Sequence, residues 1–355
     1  MNLSNLNLAV GQTLDAWRQF RPIRQQLHAY PVGSPILITG AYRSGTTWLG
    51  KLLSGPGIWA LHEPFNLNKG IWKQVFSYAS PDSISIKTVD KYVHRLLNGH
   101  ITIGPNRRPI LNNIACNRSL MPARLGFYPS PPNQILIKDP IAALLSGYLT
   151  NRFEFQTLVI IRHPGGFVSS LNKLNWEPYV RKELDQFHKI PELMGNLSNQ
   201  QVELFERRHT YNALQVYTLV HAVLNKLLLG FITNVVNMHL VSYESLCLNT
   251  EKELARCYRL LNLELREEDK IRHVLLTTRS SNTEAANPYT AIRNSKYMVD
   301  IWKQRLTERQ LDQIRSLWID FGINYYNDDA QWEHDDSSRK TTSISNGYDP
   351  ASMAP

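Results

Sequence analysis

Short apolar runs alternate with helical patterns along most of this chain. Each run has the length of a buried strand, and most are followed within a few residues by apolar positions at helical spacing. Continuous apolar strands separated by helices are typical of a parallel sheet covered on both faces. We therefore predict an α/β fold in three layers, a central parallel sheet flanked by helices. The predicted strands are residues 36–39, 59–61, 135–137, 158–161 and 239–242, and the predicted helices include 46–53, 142–149, 167–174 and 251–261.

The same pattern divides the chain into three parts. Residues 34–327 carry the alternation and are predicted to form one α/β domain, preceded by a helical lead-in over residues 1–33. Residues 328–355 are polar and net acidic, so we predict a disordered tail. The most apolar stretch, residues 213–233, is interrupted by polar side chains, which predicts a largely buried helix rather than a membrane span.

A glycine-containing turn follows the first predicted strand. Residues 40–47, GAYRSGTT, have the spacing of a Walker A loop, except that Thr46 stands where that loop has lysine. Its glycines allow a sharp turn that points backbone N–H groups at a phosphate, and the helix that follows adds the positive end of its dipole. The spacing predicts an anion site in a P-loop-like fold. The simpler interpretation is a strand-to-helix turn without a ligand.

The missing lysine narrows the type of nucleotide. ATPases and kinases use this lysine to reach the β and γ phosphates beside a magnesium ion. Arg43 lies inside the loop instead, and a guanidinium offers a fixed cationic fork to a terminal anionic group. A nucleotide without a γ-phosphate, bound without a metal, therefore fits this loop better.

Residues 42–48, YRSGTTW, resemble the 5′-phosphosulfate-binding loop of sulfotransferases that use 3′-phosphoadenosine 5′-phosphosulfate (PAPS). The arginine variant is similar to that of the Golgi tyrosylprotein and carbohydrate sulfotransferases. The resemblance implies that PAPS is the sulfuryl donor, that 3′,5′-adenosine bisphosphate (PAP) is the product, and that no metal is needed. The implied donor-binding residues in this loop are Arg43, Ser44, Gly45, Thr46, Thr47 and Trp48.

A second segment resembles the 3′-phosphate-binding element of the same family. Residues 158–173 contain a strand, then Arg162, then a proline, with Ser170 eight residues after the arginine. An arginine at a strand end and a hydroxyl in the following helix can converge on one phosphate. The alternative is that Arg162 forms only a surface ion pair.

Three weaker matches extend the resemblance over residues 34–327, with poor correspondence in 66–133 and 176–208. Residues 138–140, Lys-Asp-Pro, resemble a segment of the tyrosylprotein enzymes. Tyr243 follows the last predicted strand and by resemblance lies near the adenine, where Trp48 would also stack. Ser295 resembles a late serine that contacts the cofactor.

Sulfuryl transfer needs in-line positioning, cations around the transferring group and a base for the acceptor proton. We predict that Glu63, which follows the second strand, is the base, as the resemblance implies. His62 is a rival base. Lys138 and Arg43 would stabilise charge on the sulfuryl group.

The strand 135–137 followed by Lys138 and Asp139 also fits a Walker B strand, in which Asp139 would hold magnesium. The alternative function is therefore a P-loop kinase or NTPase with a degenerate Walker A loop.

Composition adds limits on partners. A formal net charge of +9 favours anionic partners, but the basic residues are dispersed and no nucleic-acid motif is present, so we predict no nucleic-acid partner. Three cysteines without a CxxC pair indicate neither a disulfide framework nor a zinc site. With no signal-peptide pattern, a cytoplasmic location is predicted.

The acceptor is predicted to be a hydroxyl or amine compound, with a glycan favoured. Aromatic and basic residues in the poorly matching segments would suit such an acceptor, or the aromatic residues would be local core. They are Trp72, Phe76, Tyr78, Arg107, Arg108, Trp176 and Tyr179.

Overall fold

The computed structural model of the protein describes residues 33–55, 57–65, 85–97, 134–277, 294–328 and 331–332. Five parallel strands form one sheet in the order β2-β3-β1-β4-β5. The predicted α/β class is confirmed. Four strands extend one or two residues beyond their predicted ends, and β1 ends where predicted. The strands are β1 Ile36–Thr39, β2 Ile58–His62, β3 Gln134–Lys138, β4 Gln156–Ile161 and β5 Met238–Ser242.

The described residues contain thirteen α-helices, which cover both faces of the sheet. They are α1 Thr46–Leu53, α2 Ser85–Leu97, α3 Ser146–Phe153, α4 Pro164–Leu174, α5 Glu177–His188, α6 Pro191–Gly195, α7 Asn199–Glu206, α8 Ala213–Asn234, α9 Tyr243–Leu248, α10 Thr250–Leu260, α11 Glu267–Thr277, α12 Ser295–Val299 and α13 Glu308–Asp320.

The helix predicted over 142–149 is divided in two. A 3₁₀ helix, Ile141–Leu145, precedes α3. The Asp139 carboxylate accepts the backbone N–H of Ile141 at 2.9 Å, which anchors the chain as it leaves β3. Because Pro140 follows at once and has no N–H to donate, the first turn winds tightly before the α-helix begins.

Alternate residues of each strand pack on opposite faces of the sheet. Ile36 and Ile38 contact the apolar side of α1, whereas Leu37 packs with Leu145 and Leu149 on the other face. Burial on both faces explains why the strands are continuously apolar instead of alternating with polar residues.

Helix α8 lies against α4 and α13, on the same side of the sheet. It is the one helix in the described part of the chain that is long and apolar enough to cross a membrane, and 67% of its most apolar window is buried inside the protein. Asn212 and Gln215 form a capping box at its start. The prediction of a largely buried helix is confirmed.

The C-terminal helix α13 begins with a capping box of Thr307 and Gln310. Beyond it, Trp332 is buried and donates from its indole N–H to the carbonyl oxygen of Tyr326 at 2.9 Å. Trp332 lies within residues 328–355, the segment that the sequence predicts as a tail. The predicted lead-in up to residue 32 and the tail from 333 lie outside the described residues.

Candidate active site

The strands β1 and β3 end side by side at one edge of the sheet. The helix after β1 packs on one face of the sheet, while the segment after β3 packs on the opposite face. Two neighbouring parallel strands whose connections leave in opposite directions form the position at which open α/β sheets bind ligands. The side chains that follow all five strands are therefore the candidates for chemistry.

The loop between β1 and α1 turns sharply at two glycines and one arginine. Gly40 has a φ of +143°, and a Cβ there would lie 2.2 Å from the carbonyl oxygen of Ile160. Gly45 has a φ of +102°, and a Cβ there would lie 2.7 Å from the ring of Tyr243. Arg43, between them, also adopts a left-handed φ of +64°. In this strained turn only glycine fits at the two close approaches.

The start of α1 is open to an anion. Gly45 occupies the N-cap position, and among the described residues no side chain accepts a hydrogen bond from the first turn. No acidic residue lies in that turn either. The positive end of the helix dipole is therefore left for a ligand, as an anion-binding loop requires.

Three buried polar atoms around this loop have no hydrogen-bond partner in the described part of the chain: Ser44 Oγ, Trp48 Nε1 and Arg162 Nε. Buried polar atoms in folded proteins are almost always paired. All three can donate a hydrogen bond. This set of donors fits a ligand that is rich in acceptor oxygens, such as a phosphorylated nucleotide.

The two predicted phosphate elements meet at the loop. Arg43 Nε donates to Ser170 Oγ at 3.1 Å, and Arg162 Nη1 donates to the carbonyl oxygen of Arg43 at 2.9 Å. The Arg162 guanidinium lies over the ring of Tyr243, 4.5 Å from its centre. Residues separated by more than a hundred positions in sequence therefore surround one small volume.

A further arginine, Arg305, joins this group and was not predicted. Burial and, after it, the positive charges of Arg162 and Arg43 lower the pKa of Arg305 to about 10. Like charges raise each other's energy, so a bound anion would stabilise all three arginines together. Arg305 follows a 3₁₀ helix, Ile301–Gln304, and no local motif marks it.

Glu63 and Lys138 form an ion pair at the ends of β2 and β3. Lys138 Nζ lies 2.5 Å from Glu63 Oε1, and the backbone N–H of Glu63 donates to the Lys138 carbonyl at 2.7 Å. The stem of Lys138 crosses α1 at Gly50, where a Cβ would approach the Lys138 Cγ to 3.1 Å. His62 Nε2 lies 3.6 Å from the same carboxylate oxygen, so the rival bases are neighbours.

Asp139 holds the backbone around this pair. Its Oδ2 accepts the N–H of Phe65 at 2.6 Å, its Oδ1 accepts that of Ile141, and its side chain is fully buried. Burial and, after it, the charge of Glu63 raise the pKa of Asp139 to about 7. Because both oxygens of this fully buried carboxylate accept backbone hydrogen bonds, the contacts favour a structural role over that of a magnesium ligand.

Comparison with known proteins finds similarity to solved structures alone. No family model and no curated protein matches the chain. Solved structures that resemble it are sulfotransferases, with TM-scores below 0.5, so the fold assignment rests on the sheet described above.

Three of these structures illustrate the similarity. The sulfotransferase domain from the curacin biosynthetic pathway has a TM-score of 0.41 and 14% identity, and the match covers 81% of this chain and 97% of that one. The sulfotransferase domain from the Synechococcus PCC 7002 olefin synthase has a TM-score of 0.43 and 14% identity, with coverage of 83% and 96%. Mouse sulfotransferase SULT7A1 complexed with PAP has a TM-score of 0.38 and 12% identity, with coverage of 87% and 91%.

The remaining predicted residues have mainly protein contacts. The rings of Trp48 and Tyr243 meet edge to face, with centres 6.0 Å apart. Ser295 Oγ donates to the Cys247 carbonyl at 3.1 Å, so its hydroxyl links α12 to α9. Thr46 and Thr47 open α1. Trp72, Phe76, Tyr78, Arg107 and Arg108 lie outside the described residues.

Two buried groups that sequence reasoning missed hold Arg162 in place. Glu244 accepts the N–H of His163 at 2.9 Å and the hydroxyl of Tyr326. His221, on α8, contacts the Arg162 carbonyl through Nε2 at 2.9 Å. Burial lowers the pKa of His221 to about 3, so it is neutral at physiological pH. Only the folded chain brings these groups to the end of β4.

Proposed function

We propose that the protein is a PAPS-dependent sulfotransferase that transfers a sulfuryl group to a hydroxyl or amine acceptor. One observation carries the proposal: Arg43, Arg162 and Ser170 meet at a glycine loop, beside the Lys138–Glu63 pair on two neighbouring strands. Cations that would hold an anionic nucleotide, near a carboxylate that would serve as the base for an acceptor, support this function.

The cationic groups divide between two ends of the nucleotide. The N–H groups at the start of α1 and the Arg43 guanidinium would hold the 5′-phosphosulfate. Arg162, Ser170 and Arg305 would hold the 3′-phosphate. Trp48 and Tyr243 are the aromatic residues next to the loop that would contact the adenine.

PAPS supplies an activated sulfuryl group, whose bond to the phosphate oxygen breaks as the acceptor oxygen or nitrogen bonds to sulfur. Glu63 takes the acceptor proton as this bond forms. Lys138, whose ammonium group lies against Glu63, balances negative charge on the sulfuryl oxygens and the leaving phosphate. The acceptor must therefore enter from the side of Glu63.

The alternative, a kinase or NTPase with a degenerate Walker A loop, is less well supported. It requires Asp139 to bind magnesium, but both oxygens of that carboxylate accept backbone hydrogen bonds. It also requires a substitute for the lysine that Thr46 replaces. We therefore retain it as an outcome of the experiment below.

A thermal-shift experiment separates the candidates. PAP, MgATP and a single-stranded oligonucleotide are added in turn, and a ligand present at about 100 times its Kd raises the free energy of unfolding by about 2.7 kcal/mol. Stabilisation by PAP is expected, and it should be smaller in Arg162→Ala. Arg259→Ala, which removes an exposed arginine on α10, is the control for charge. Stabilisation by MgATP but not by PAP would overturn the proposal.

A further inference from the structure

Four aromatic rings form a wall beside the phosphate loop. The ring of Tyr42 lies 5.6 Å from that of Phe167, 5.7 Å from that of Trp176 and 6.5 Å from that of Tyr179. The rings of Trp176 and Tyr179 are 5.7 Å apart. Tyr42 is almost fully buried, whereas Tyr179 exposes 38% of its surface. The wall therefore has a buried inner ring, Tyr42, and an outer ring, Tyr179, that a ligand can reach.

A buried carboxyl group anchors this wall. Glu183 is fully buried on α5, and its Oε2 accepts the hydroxyl of Tyr42 at 2.6 Å. Burial raises the pKa of Glu183 to about 8. The charge of Glu183 contributes, after burial, to a raised pKa of Tyr179, whereas Glu183 Oε1 has no hydrogen-bond partner among the described residues. Neither the nucleotide site nor the transfer chemistry uses Glu183.

The position of the wall links it to both halves of the site. Tyr42 directly precedes Arg43 in the phosphate loop. At the other end, the charge of Glu63 contributes to the raised pKa of Tyr179. The strand β1, which leads into this loop, pairs with β3, and Lys138 at the end of β3 contacts Glu63. The wall therefore lies beside the loop that neighbours the base. Trp176 and Tyr179 belong to residues 176–208, where the sequence has poor correspondence with the family that it resembles.

We propose that Tyr179 and Trp176 form an acceptor platform, and that the acceptor carries its reacting hydroxyl or amine on a six-membered ring with an apolar face. The proposal rests on the proposed function, because it requires Glu63 to be the base. Aromatic side chains bind such rings by face contact, with little loss of side-chain entropy. Glu183 is a positioning residue that holds the Tyr42 ring, against which the rings of Trp176 and Tyr179 pack.

The shared ring chemistry has two sources, a sugar and a phenol, which separate probes distinguish. Saturation-transfer NMR on the PAP-saturated enzyme would use methyl β-D-glucopyranoside, 4-nitrophenol and acyclic 1,2-propanediol. At least one ring probe should bind, and more tightly than the diol. Tyr179→Ala should weaken its binding about threefold to tenfold, the usual worth of an aromatic contact.

Two further variants test the anchor. Tyr179→Phe, which keeps the ring but loses the hydroxyl, should lie between the wild type and Tyr179→Ala. Glu183→Leu should weaken binding of the ring probe about as much as Tyr179→Phe does. Glu183→Gln can still accept the Tyr42 hydrogen bond, so it should bind the ring probe as the wild type does. A purely structural Glu183 would predict equal probe binding in folded samples of both Glu183 variants, which would overturn its positioning role.

Thermal shift with PAP on the same samples separates this inference from the proposed function. If the wild type does not bind PAP, the proposed function fails. If PAP binds but no ring probe does, if the diol binds as well as the rings, or if Tyr179→Ala binds the ring probe normally, the acceptor platform is wrong while the proposed function stands.

Discussion

At the ends of β1 and β4 three arginines come together, whereas at the ends of β2 and β3 a lysine and a glutamate pair at 2.5 Å. The first region concentrates positive charge, and it gains most from an anionic ligand. The second region has both charges present before any ligand arrives. Under the proposed function the first region is the binding end, which would recognise the nucleotide, and the second is the reacting end, which would handle a proton.

The largest effect is expected when the base is removed from the reacting end. Glu63→Gln should lower kcat about 10²- to 10⁴-fold, since a positioned general base contributes this much to rate. PAP binding should remain, because Glu63 is not part of the arginine group. Transfer of labelled sulfate to an acceptor and thermal shift with PAP measure the two properties.

Two variants complete this test. Glu203→Gln, an exposed glutamate on α7, should leave turnover unchanged. His62→Ala distinguishes the rival base, since a loss of kcat there with normal turnover in Glu63→Gln would transfer the role to His62. If both variants turn over normally, the reacting end is wrongly assigned.

The binding end should respond in the opposite way. Arg162→Ala should weaken PAP binding about 10- to 150-fold, the range for losing a hydrogen bond to a charged group. Binding of PAP to the wild type should also weaken at high salt, because the interaction is between charges. Titration calorimetry at two salt concentrations measures both effects, and salt-independent binding would contradict a site built from arginines.

The two regions also differ in how far the sequence predicts them. The strands and the loop after β1 follow from local patterns, because buried parallel strands are continuously apolar and their ends meet at one edge. The places of Arg43, Arg162 and Glu63 follow from that rule. The distances between these side chains do not follow from it.

Contacts between remote segments have no such local signal. Arg305 lies in an ordinary polar stretch, and the bond between Tyr42 and Glu183 joins residues 141 positions apart. The role of Asp139 is the clearest example. After an apolar strand, an aspartate fits a magnesium ligand and a structural residue equally well, and only its two backbone donors distinguish them.

Asp139 supports the reacting end through the backbone, so its removal should act on stability first. Asp139→Asn replaces one of the two acceptor oxygens with an N–H₂ group, and leaving a buried N–H without a partner costs about 1–3 kcal/mol. Urea denaturation measures the loss. Asp185→Asn, which removes a half-exposed carboxylate paired with Arg208, should cost less than about 1 kcal/mol. If the two variants were equally stable, Asp139 would not hold the backbone around the Lys138–Glu63 pair.

The last test concerns the buried carboxyl group of Glu183, which accepts the hydroxyl of Tyr42. Burial raises the pKa of Glu183 from 4.5 to about 8, so the folded protein retains a proton that the unfolded chain releases between these pH values. Its contribution to the free energy of unfolding is therefore present below about pH 4.5 and is lost as the pH rises to 8.

Glu183→Gln cannot titrate, so it should gain stability relative to the wild type from pH 5 to pH 8. Urea denaturation at pH 5, 6.5 and 8 measures this difference, in which other titrating groups cancel. One unit of pKa difference corresponds to about 1.4 kcal/mol. If the difference in free energy of unfolding between the two proteins is the same at all three pH values, Glu183 ionises normally and solvent reaches the inner end of the aromatic wall.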